Sequence, residues 1–265
     1  MLHTANLIGL FTCVFVKASL RHNVRDVNGA EVKVGMGGHY GNKGALIVRL
    51  ALDDSSLCLV NCHLAAGQAH TSQRNNDIAA IMDAHCLPAL PDAAPDLFAA
   101  GGDGSMVLDH EFCLLNGDLN YRIDAFTRDA VLAAVRAGAF PKLLARDQLL
   151  QSRRRNPGFR LAALSEAPID FAPTYKYDVG TDRYDSSEKR RAPAWCDRVL
   201  SRGPRGRLAQ GSYRRHELRV SDHRPVSAAF EMRVRAVDEA RREGVERECE
   251  ARFEEERRRV QRDIK

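Results

Sequence analysis

Short apolar runs alternate along the chain with stretches in which apolar residues recur at helical spacing. Runs rich in β-branched, aromatic and aliphatic residues predict strands at residues 7–17, 45–52, 57–62, 111–116, 195–200 and 225–231. Helical periodicity predicts helices at residues 73–85 and 124–137. Mixed strands and helices, with polar clusters at strand ends, predict an α/β layered fold.

The composition changes at residue 233, after which Glu, Arg and Ala dominate and proline is absent. This change predicts a charged helix over residues 233–265, separate from a domain over residues 1–232. The apolar positions of this tail keep no steady heptad, which favours a mostly solvated helix over a strong coiled coil.

Positive charge is unevenly distributed along the chain. The formal net charge is +5, and residues 231–265 hold 11 basic and 11 acidic side chains, so the excess lies in residues 1–230. Residues 183–224 hold 12 basic and 5 acidic side chains. This density fits an anion-binding face and fits a solvated surface equally well, so charge alone leaves both interpretations open.

Cysteine usage and the N-terminal apolar run bear on the cellular compartment. The seven cysteines include no C-x-x-C pair and lie mostly among apolar neighbours, which favours a reducing, cytoplasmic environment. The apolar stretch 7–16 lacks a cationic region before it and a small-residue cleavage site after it. We therefore interpret it as a buried strand rather than a signal peptide.

The first candidate for chemistry is the segment 116–122, where an apolar strand leads into Gly-Asp-Leu-Asn. Strand alternation puts Asp118 and Asn120 on one face. A carboxylate beside an amide suits the positioning of a water molecule and the binding of a phosphoryl oxygen. An Asx-rich turn at the end of a strand has the same composition, so this segment alone does not decide the function.

Two further clusters contain a histidine and two aspartates. His223 follows Asp222 just before a predicted strand, where it suits phosphate contact or proton transfer, although a capped surface loop has the same pattern. Asp197 lies close to Trp195, the single tryptophan, at a strand edge from which it could orient a histidine. A surface pair of Asp197 with Arg198 is the alternative.

The remaining clusters are His63 at a strand tip, the glycine-flanked pair Asn42-Lys43, and the segment 173–178 with the sequence PTYKYD. A Gly-rich turn with one lysine suits a phosphate. It lacks the spacing of a P-loop, so it is not a nucleotide motif. Each cluster remains ambiguous when it is taken alone.

Taken in order, the segments GNKG, HLAA, GDLNYR, PTYKYD, RAPAWCDRVL and SDHRPV resemble the catalytic domain of the inositol polyphosphate 5-phosphatases. The resemblance runs from about Leu7 to about Glu231, and the sequence after SDHRPV is similar to the subgroup of the oculocerebrorenal-syndrome phosphatase. It implies a DNase I-like four-layer α/β sandwich, followed here by the charged helix. It also implies Mg²⁺-dependent hydrolysis of the 5-phosphate of phosphoinositides, such as phosphatidylinositol 4,5-bisphosphate, or of soluble inositol polyphosphates.

The resemblance implies a set of catalytic residues, which are Asp118, Asn120, His223, Asp197, Asp222 and His63. In this set Asp118 would activate or orient the attacking water, and Asn120 would bind the scissile phosphate. His223 would contact the phosphate and be oriented by Asp197, and His63 would donate to the phosphoryl oxygens.

A second implied set binds the substrate around the scissile phosphate and comprises Tyr175, Lys176, Lys189, Arg191, Asn42 and Lys43. The first four match family contacts to the neighbouring 4-phosphate, which Arg can bind through a bidentate fork. The basic rim would favour an anionic membrane surface. The implied partners are a phosphoinositide or inositol phosphate and, peripherally, a membrane, with no nucleic acid; the partners of the terminal helix stay open.

The family also has an Asn-containing strand and a metal-binding Glu upstream of the strand matched at Leu7. The six residues before Leu7 contain no acidic residue, so we expect the sandwich to lack its first strands here and leave the metal ligands unknown. Two alternatives follow. One is a catalytically impaired phosphoinositide-binding or scaffold fragment. The other is a nuclease of the same superfamily, against which PTYKYD and RAPAWCDR argue.

Overall fold

The computed structural model describes residues 1–38, 40–90, 97–98 and 101–263. Its strands are β1 (His3–Leu7), β2 (Leu10–Val14), β3 (Val24–Gly35), β4 (Tyr40–Leu52), β5 (Ser55–His63), β6 (Phe112–Asp118), β7 (Asp197–Arg202), β8 (Leu208–Arg215) and β9 (Val226–Met232). Its α-helices are α1 (Thr71–Met82), α2 (Arg128–Arg136), α3 (Phe140–Leu144), α4 (Gln148–Arg155) and α5 (Glu239–Asp263). Within these ranges no helix is both long and apolar enough to cross a membrane.

A mixed sheet in the order β3-β4-β5-β6-β7 forms the centre of the molecule. Its strand β4 is buried from Gly44 to Ala51 and is mainly apolar there, as expected of a strand covered on both faces. The β5-β6 pair is parallel, and the other neighbouring pairs are antiparallel. A parallel pair needs a crossover connection, and α1 lies in the connection from β5 to β6.

The largest core cluster packs one face of this sheet against helices. It joins Ile47 and Val60 of the sheet to Ile78 and Ile81 of α1 and to Leu149 of α4. Complete burial of an aliphatic side chain of this size stabilises the fold by about 1.5–3 kcal/mol. This layer therefore fixes the strands whose ends carry the polar clusters.

Two antiparallel hairpins, β1-β2 and β8-β9, lie on the opposite face. They pack on the sheet through a second cluster that includes Phe112 and Leu208. A groove of about 670 Å³ runs between β2 and β9, is lined mainly by apolar residues, and reaches Asp118 and Asp197. In the described part of the chain, the edges of β2 and β9 along this groove pair with no further strand.

The N-terminal segment differs from the single buried strand predicted over residues 7–17. Gly9 adopts φ +79° in a tight turn, so the chain reverses there and forms the β1-β2 hairpin. Phe11 and Phe15 are 65% and 72% exposed. The prediction is wrong because an apolar run shows neither where the chain turns nor which side chains face the core.

Four elements, β3, β8, α3 and α4, have no counterpart among the predicted ones. The β3 strand contains Asn, Asp, Glu and Lys and forms because it pairs with β4 along most of its length. A local signal did exist for α4, because Asp147 is its N-cap and its side chain accepts a hydrogen bond from Leu150 N–H.

The charged helix α5 begins at Glu239 rather than at residue 233. Two hydrogen bonds join the backbone of the preceding segment to the β4-β5 turn and the first residue of β5. Asp54 N–H donates to the carbonyl oxygen of Arg235 at 2.9 Å, and Arg235 N–H donates to Ser55 Oγ at 2.8 Å. Beyond this attachment, α5 carries several ion pairs at i, i+4 spacing and is largely solvent-exposed.

Candidate active site

Three polar side chains meet at one edge of the central sheet because the strands that carry them begin or end there. In the parallel β5-β6 pair His63 lies opposite Asp118, and in the antiparallel β6-β7 pair Asp118 lies opposite Asp197. The register alone therefore places these three residues side by side. His223 joins them from the loop before β9, with its Nδ1 directed at Asp197. We call these four residues the strand-end cluster.

The turn after β6 has a backbone that few residue types accept. Gly117 has φ +135°, and a Cβ there would lie 2.0 Å from the carbonyl oxygen of Cys62. Asn120 adopts φ +56°, in the left-handed region that asparagine tolerates better than most residues. Asn120 then donates from its backbone N–H to Asp118 Oδ1 and from Nδ2 to Asp118 Oδ2, both at 3.0 Å. The turn thus holds both oxygens of the Asp118 carboxylate.

Asp118 combines burial with a neighbouring negative charge. Burial, followed by the charge of Asp197, raises its pKa to about 6, while His223 and Arg122 act in the opposite direction. A carboxyl group with this pKa is ionised at neutral pH and is a better proton acceptor than an ordinary aspartate.

His223 is oriented by Asp197. Its Nδ1 lies 2.9 Å from Asp197 Oδ2, and Thr174 Oγ1 donates to the same carboxylate oxygen at 2.7 Å. Burial alone would lower the pKa of His223, but the hydrogen bond and charge of Asp197, followed by the charge of Asp118, raise it. Because Nδ1–H points at Asp197, the second proton of the imidazolium is carried by Nε2.

His63 has the opposite electrostatic environment. Its Nε2 lies 2.5 Å from Lys43 Nζ and 3.4 Å from Asp118 Oδ2. Burial, followed by the positive charges of Lys43 and His223, lowers the pKa of His63 to about 4. The imidazole is therefore neutral at neutral pH, its Nε2 accepts a hydrogen bond from Lys43, and its contact with Asp118 is not an ion pair.

A pocket of about 590 Å³ adjoins the strand-end cluster and contains several of the residues predicted to bind substrate. Its cationic lining comprises Arg122, Arg128, Lys189, Arg190 and Arg191. Tyr175 lines the same pocket, and its ring centroid lies 4.6 Å from that of His223. Arg191 donates from its backbone N–H to Asp185 Oδ2 at 2.9 Å, which fixes the loop that carries it. We call this the basic pocket.

Three predicted residues have their main contacts elsewhere. Lys176 forms a close ion pair with Asp222, so Asp222 stabilises this lysine while His223 is held by Asp197. Asn42 is next to Lys43 on β4, so its side chain faces the opposite side of the strand, and its Oδ1 is buried beside Gly35. The roles of Lys176, Asp222 and Asn42 in substrate binding or catalysis stay predictions.

The carboxylates of the strand-end cluster are already bound by protein donors. Asp118 accepts hydrogen bonds from Asn120, and Asp197 accepts them from Thr174 and interacts with His223. Among the residues that the structure describes, no group of three or more His, Cys, Asp or Glu side chains is arranged to hold a metal ion. The described residues of the site therefore do not form a metal centre by themselves.

Two residues outside the predicted set contact the site directly. Thr174 binds the Asp197 carboxylate, and the guanidinium of Arg122 binds Asn120 and lies over the ring of Tyr175. Both lie inside two of the segments that carry the family resemblance, PTYKYD and GDLNYR. Their partners lie in other strands and loops or depend on turn geometry, so spacing along the chain did not reveal them.

Comparisons with known proteins agree with this arrangement. A family model described as endonuclease/exonuclease/phosphatase family 2 matches residues 1–229. A probable inositol polyphosphate 5-phosphatase of Schizosaccharomyces pombe is 51% identical over 235 residues, which are 88% of this chain and 20% of that protein. The type II inositol 1,4,5-trisphosphate 5-phosphatase of Mus musculus is 38% identical over 237 residues, covering 88% of this chain and 22% of its own length.

A solved structure extends the match to the fold. The 5-phosphatase domain of a synaptojanin, in complex with inositol (1,4)-bisphosphate and a calcium ion, superposes with a TM-score of 0.80 at 32% identity. The match covers 98% of this chain and 70% of that domain, and it confirms the predicted DNase I-like α/β fold. The chain spans about a fifth of the length of the curated relatives named above. The chain belongs to the inositol polyphosphate 5-phosphatases, within the endonuclease/exonuclease/phosphatase family.

Proposed function

We propose that this chain hydrolyses the 5-phosphate of phosphoinositides, such as phosphatidylinositol 4,5-bisphosphate, or of soluble inositol polyphosphates. The observation that carries the proposal is the junction of the strand-end cluster with the basic pocket through Tyr175. A ring with two neighbouring phosphates would place one at His223 and the other near Lys189 and Arg191. The names of the relatives, which are 5-phosphatases and therefore hydrolases, agree with this substrate class.

In the proposed reaction, water attacks phosphorus and the P–O bond to the inositol ring breaks. Asp118 has a pKa of about 6 and is therefore ionised at neutral pH, where it accepts a proton from the attacking water. His223, stabilised as the imidazolium by Asp197, donates its Nε2 proton to the departing oxygen, which becomes the inositol hydroxyl. Lys43 adds positive charge on the other side of Asp118. Positioning and charge stabilisation account for most of the rate enhancement in such displacements.

The basic pocket would bind the neighbouring phosphate. The guanidinium of Arg191 can donate two parallel N–H groups to a dianionic phosphate, and Lys189 adds a point charge. Lys176 is held in its ion pair by Asp222, so a phosphate near this lysine would compete with a carboxylate. Loss of Lys189 or Arg191 is expected to raise KM more than it lowers kcat, because these two cations would bind substrate and transition state alike.

We also propose that the reaction uses a divalent cation, Mg²⁺ in the cell. The calcium ion in the synaptojanin complex supports this, and such an ion supplies charge neutralisation for the phosphates. No step of the reaction above is assigned to the ion, because the described residues form no metal centre. Phosphate release that continues unchanged in EDTA would contradict the requirement; loss in EDTA and recovery with added Mg²⁺ is expected.

We propose further that the protein acts in the cytoplasm, peripherally on anionic membranes. The basic pocket supports this, as do Met36 and Tyr40, which are 81% and 50% exposed on the segment that leads to Lys43. Sedimentation with vesicles of phosphatidylcholine, with and without phosphatidylinositol 4,5-bisphosphate, tests the proposal. Binding that is independent of the anionic lipid would contradict it.

A second candidate function is phosphoinositide binding without turnover. The observation that favours it is the lack of a metal centre among the described residues, because the phosphates would keep their full negative charge. The five cationic residues that line the basic pocket do not specifically favour nuclease activity, the other alternative from the sequence.

The test is phosphate release from inositol 1,4,5-trisphosphate, measured with malachite green in the presence of Mg²⁺. Asp118→Ala is expected to abolish release. Asp83→Ala is the matched control, because Asp83 is a surface carboxylate paired with Arg160 and its loss leaves the site intact. Equal phosphate release by the wild type and Asp118→Ala would contradict the assigned mechanism. Ligand binding without release would select the second candidate, and nicking of abasic DNA would select the nuclease.

A further inference from the structure

Arg122 belongs both to the basic pocket and to the surroundings of the strand-end cluster. Its side chain is buried, with the residue 5% exposed. Nε donates to the carbonyl oxygen of Asn120 at 3.0 Å, and Nη2 donates to Asn120 Oδ1 at 2.5 Å. The two bonds use the planar fork of the guanidinium, which a lysine ammonium cannot reproduce.

These bonds determine which way the amide of Asn120 faces. Because Oδ1 accepts from Arg122, Nδ2 faces the other way, where it donates to Asp118 Oδ2 at 3.0 Å and to the carbonyl oxygen of Leu64 at 3.1 Å. Both amide hydrogens are then in use, so none is left for a phosphate in this arrangement. Asn120, for which the family resemblance implied a phosphate contact, here holds the carboxylate of Asp118.

The face of the guanidinium is covered by the wall of the basic pocket. Its central carbon lies 4.5 Å from the ring centroid of Tyr175, and that ring in turn contacts His223. A cation over an aromatic face is attracted by the ring quadrupole. Arg122 therefore connects Asn120 and Asp118 on one side with Tyr175 and His223 on the other.

We propose that Arg122 is a positioning residue that orients Asn120, and through it the carboxylate of Asp118, toward the attacking water. The expected effect on the rate of hydrolysis rests on the proposed function, whereas the orientation of Asn120 by Arg122 does not. The charge of Arg122 also opposes the effect of burial on the pKa of Asp118. The other charged or titratable groups around Asp118 are Asp197 on β7, His223 before β9, His63 on β5 and Lys43 on β4.

Two substitutions separate the fork from the charge. Arg122→Gln removes both, and Arg122→Lys keeps the charge and removes the fork. Both are expected to lower kcat by about 100-fold while KM stays within about threefold. In Arg122→Gln the pH at which activity rises is expected to move upward, because Asp118 stays protonated to higher pH; in Arg122→Lys it stays near the wild-type value. A higher KM with unchanged kcat would overturn the proposal and make Arg122 a substrate ligand.

Arg49 provides the matched control for the loss of a buried arginine. It is 1% exposed and donates to the carbonyl oxygens of Pro88 and Gly104 away from the site. Arg49→Gln is expected to lower the melting temperature, as Arg122→Gln does, without moving the acidic limb of the pH profile. An equal movement in both variants would show a general effect of destabilisation and overturn the proposal.

A measurement without turnover distinguishes failure of this inference from failure of the proposed function. By NMR, the side-chain amide hydrogens of Asn120 are expected to exchange with solvent at least about tenfold faster in Arg122→Lys than in wild type. The lysine variant keeps the buried charge and is measured even where Arg122→Gln does not fold. Unchanged exchange overturns the positioning role. Faster exchange in Arg122→Lys, with no phosphate release from the wild type or any variant, would support the positioning role and contradict the proposed function.

Discussion

The two histidines of the site have opposite electrostatic environments, although both lie in the strand-end cluster. His223 directs Nδ1 at Asp197, and that carboxylate raises its pKa in spite of burial. His63 lies against Lys43, and burial together with that charge lowers its pKa to about 4. One imidazole is stabilised as a cation and proton donor, and the other as a neutral hydrogen-bond acceptor.

The charge state of each histidine is therefore set by the neighbour that another strand contributes, rather than by the residue type. Asp197 comes from β7 and Lys43 from β4, on the two sides of the strands that carry Asp118 and His63. The site thereby presents a cation on each side of Asp118 without placing two imidazolium groups beside each other. Three substitutions break or sharpen this contrast, and a fourth measurement tests the activity itself.

The largest effect is expected from removing the negative charge between the two histidines. Asp118→Asn keeps the shape of the side chain and removes the proposed proton acceptor, so kcat/KM for phosphate release is expected to fall by about 10⁴-fold. The pKa of His223 is also expected to fall, because Asp118 contributes to raising it. Asp83→Asn, on the surface, is the control. Activity within about tenfold of wild type would contradict the assignment.

An intermediate effect is expected from Asp197→Asn, which removes the carboxylate that raises the pKa of His223. Loss of orientation and of the imidazolium is expected to lower kcat/KM by about 100-fold. Without Asp197 the pKa of His223 falls, so the decline of activity with rising pH begins at lower pH. The pKa of Asp118 falls as well, because Asp197 raises it, so the rise of activity also begins at lower pH. A pH profile with unmoved limbs would contradict this account.

The smallest effect is expected from Lys43→Met, which removes the charge on the His63 side and keeps the length of the side chain. The pKa of His63 is expected to rise and to stay below its ordinary value, because burial persists. Affinity for inositol phosphate is expected to weaken about tenfold, the loss of one charged hydrogen bond. NMR titration of His63 and calorimetry measure the two effects. Lys17→Met, at an exposed lysine that lines neither the groove nor the basic pocket, is the control. An unchanged pKa of His63 would mean that burial alone sets it.

Much of the site was predictable because its residues follow or precede strands inside specific segments. GDLNYR and SDHRPV identify Asp118 and His223 from sequence, and the strand ends were predicted to within a few residues. Which side chains meet was not predictable, since it depends on the order and register of strands distant in the chain. The contact of His63 with Lys43 is an example, because it helps to keep His63 neutral and cannot be inferred from composition.

The features missed by sequence depend on strand pairing or on backbone turns that the local sequence does not specify. The β3 strand is polar at many positions and gains its structure from pairing with β4, which overrides its weak local preference. The turn at Gly9 is hidden inside an apolar run, so the run was interpreted as one strand. The contact of Arg122 with Asn120 depends on a residue in the left-handed conformation, and a motif alone does not specify it.

Product analysis after incubation with inositol 1,4,5-trisphosphate and Mg²⁺ tests the central claim most directly, because it reports both hydrolysis and the position of the phosphate removed. The account predicts stoichiometric conversion to inositol 1,4-bisphosphate by the wild type and no conversion by Asp118→Asn. Removal of a phosphate from another position, or equal conversion by both proteins, would contradict it.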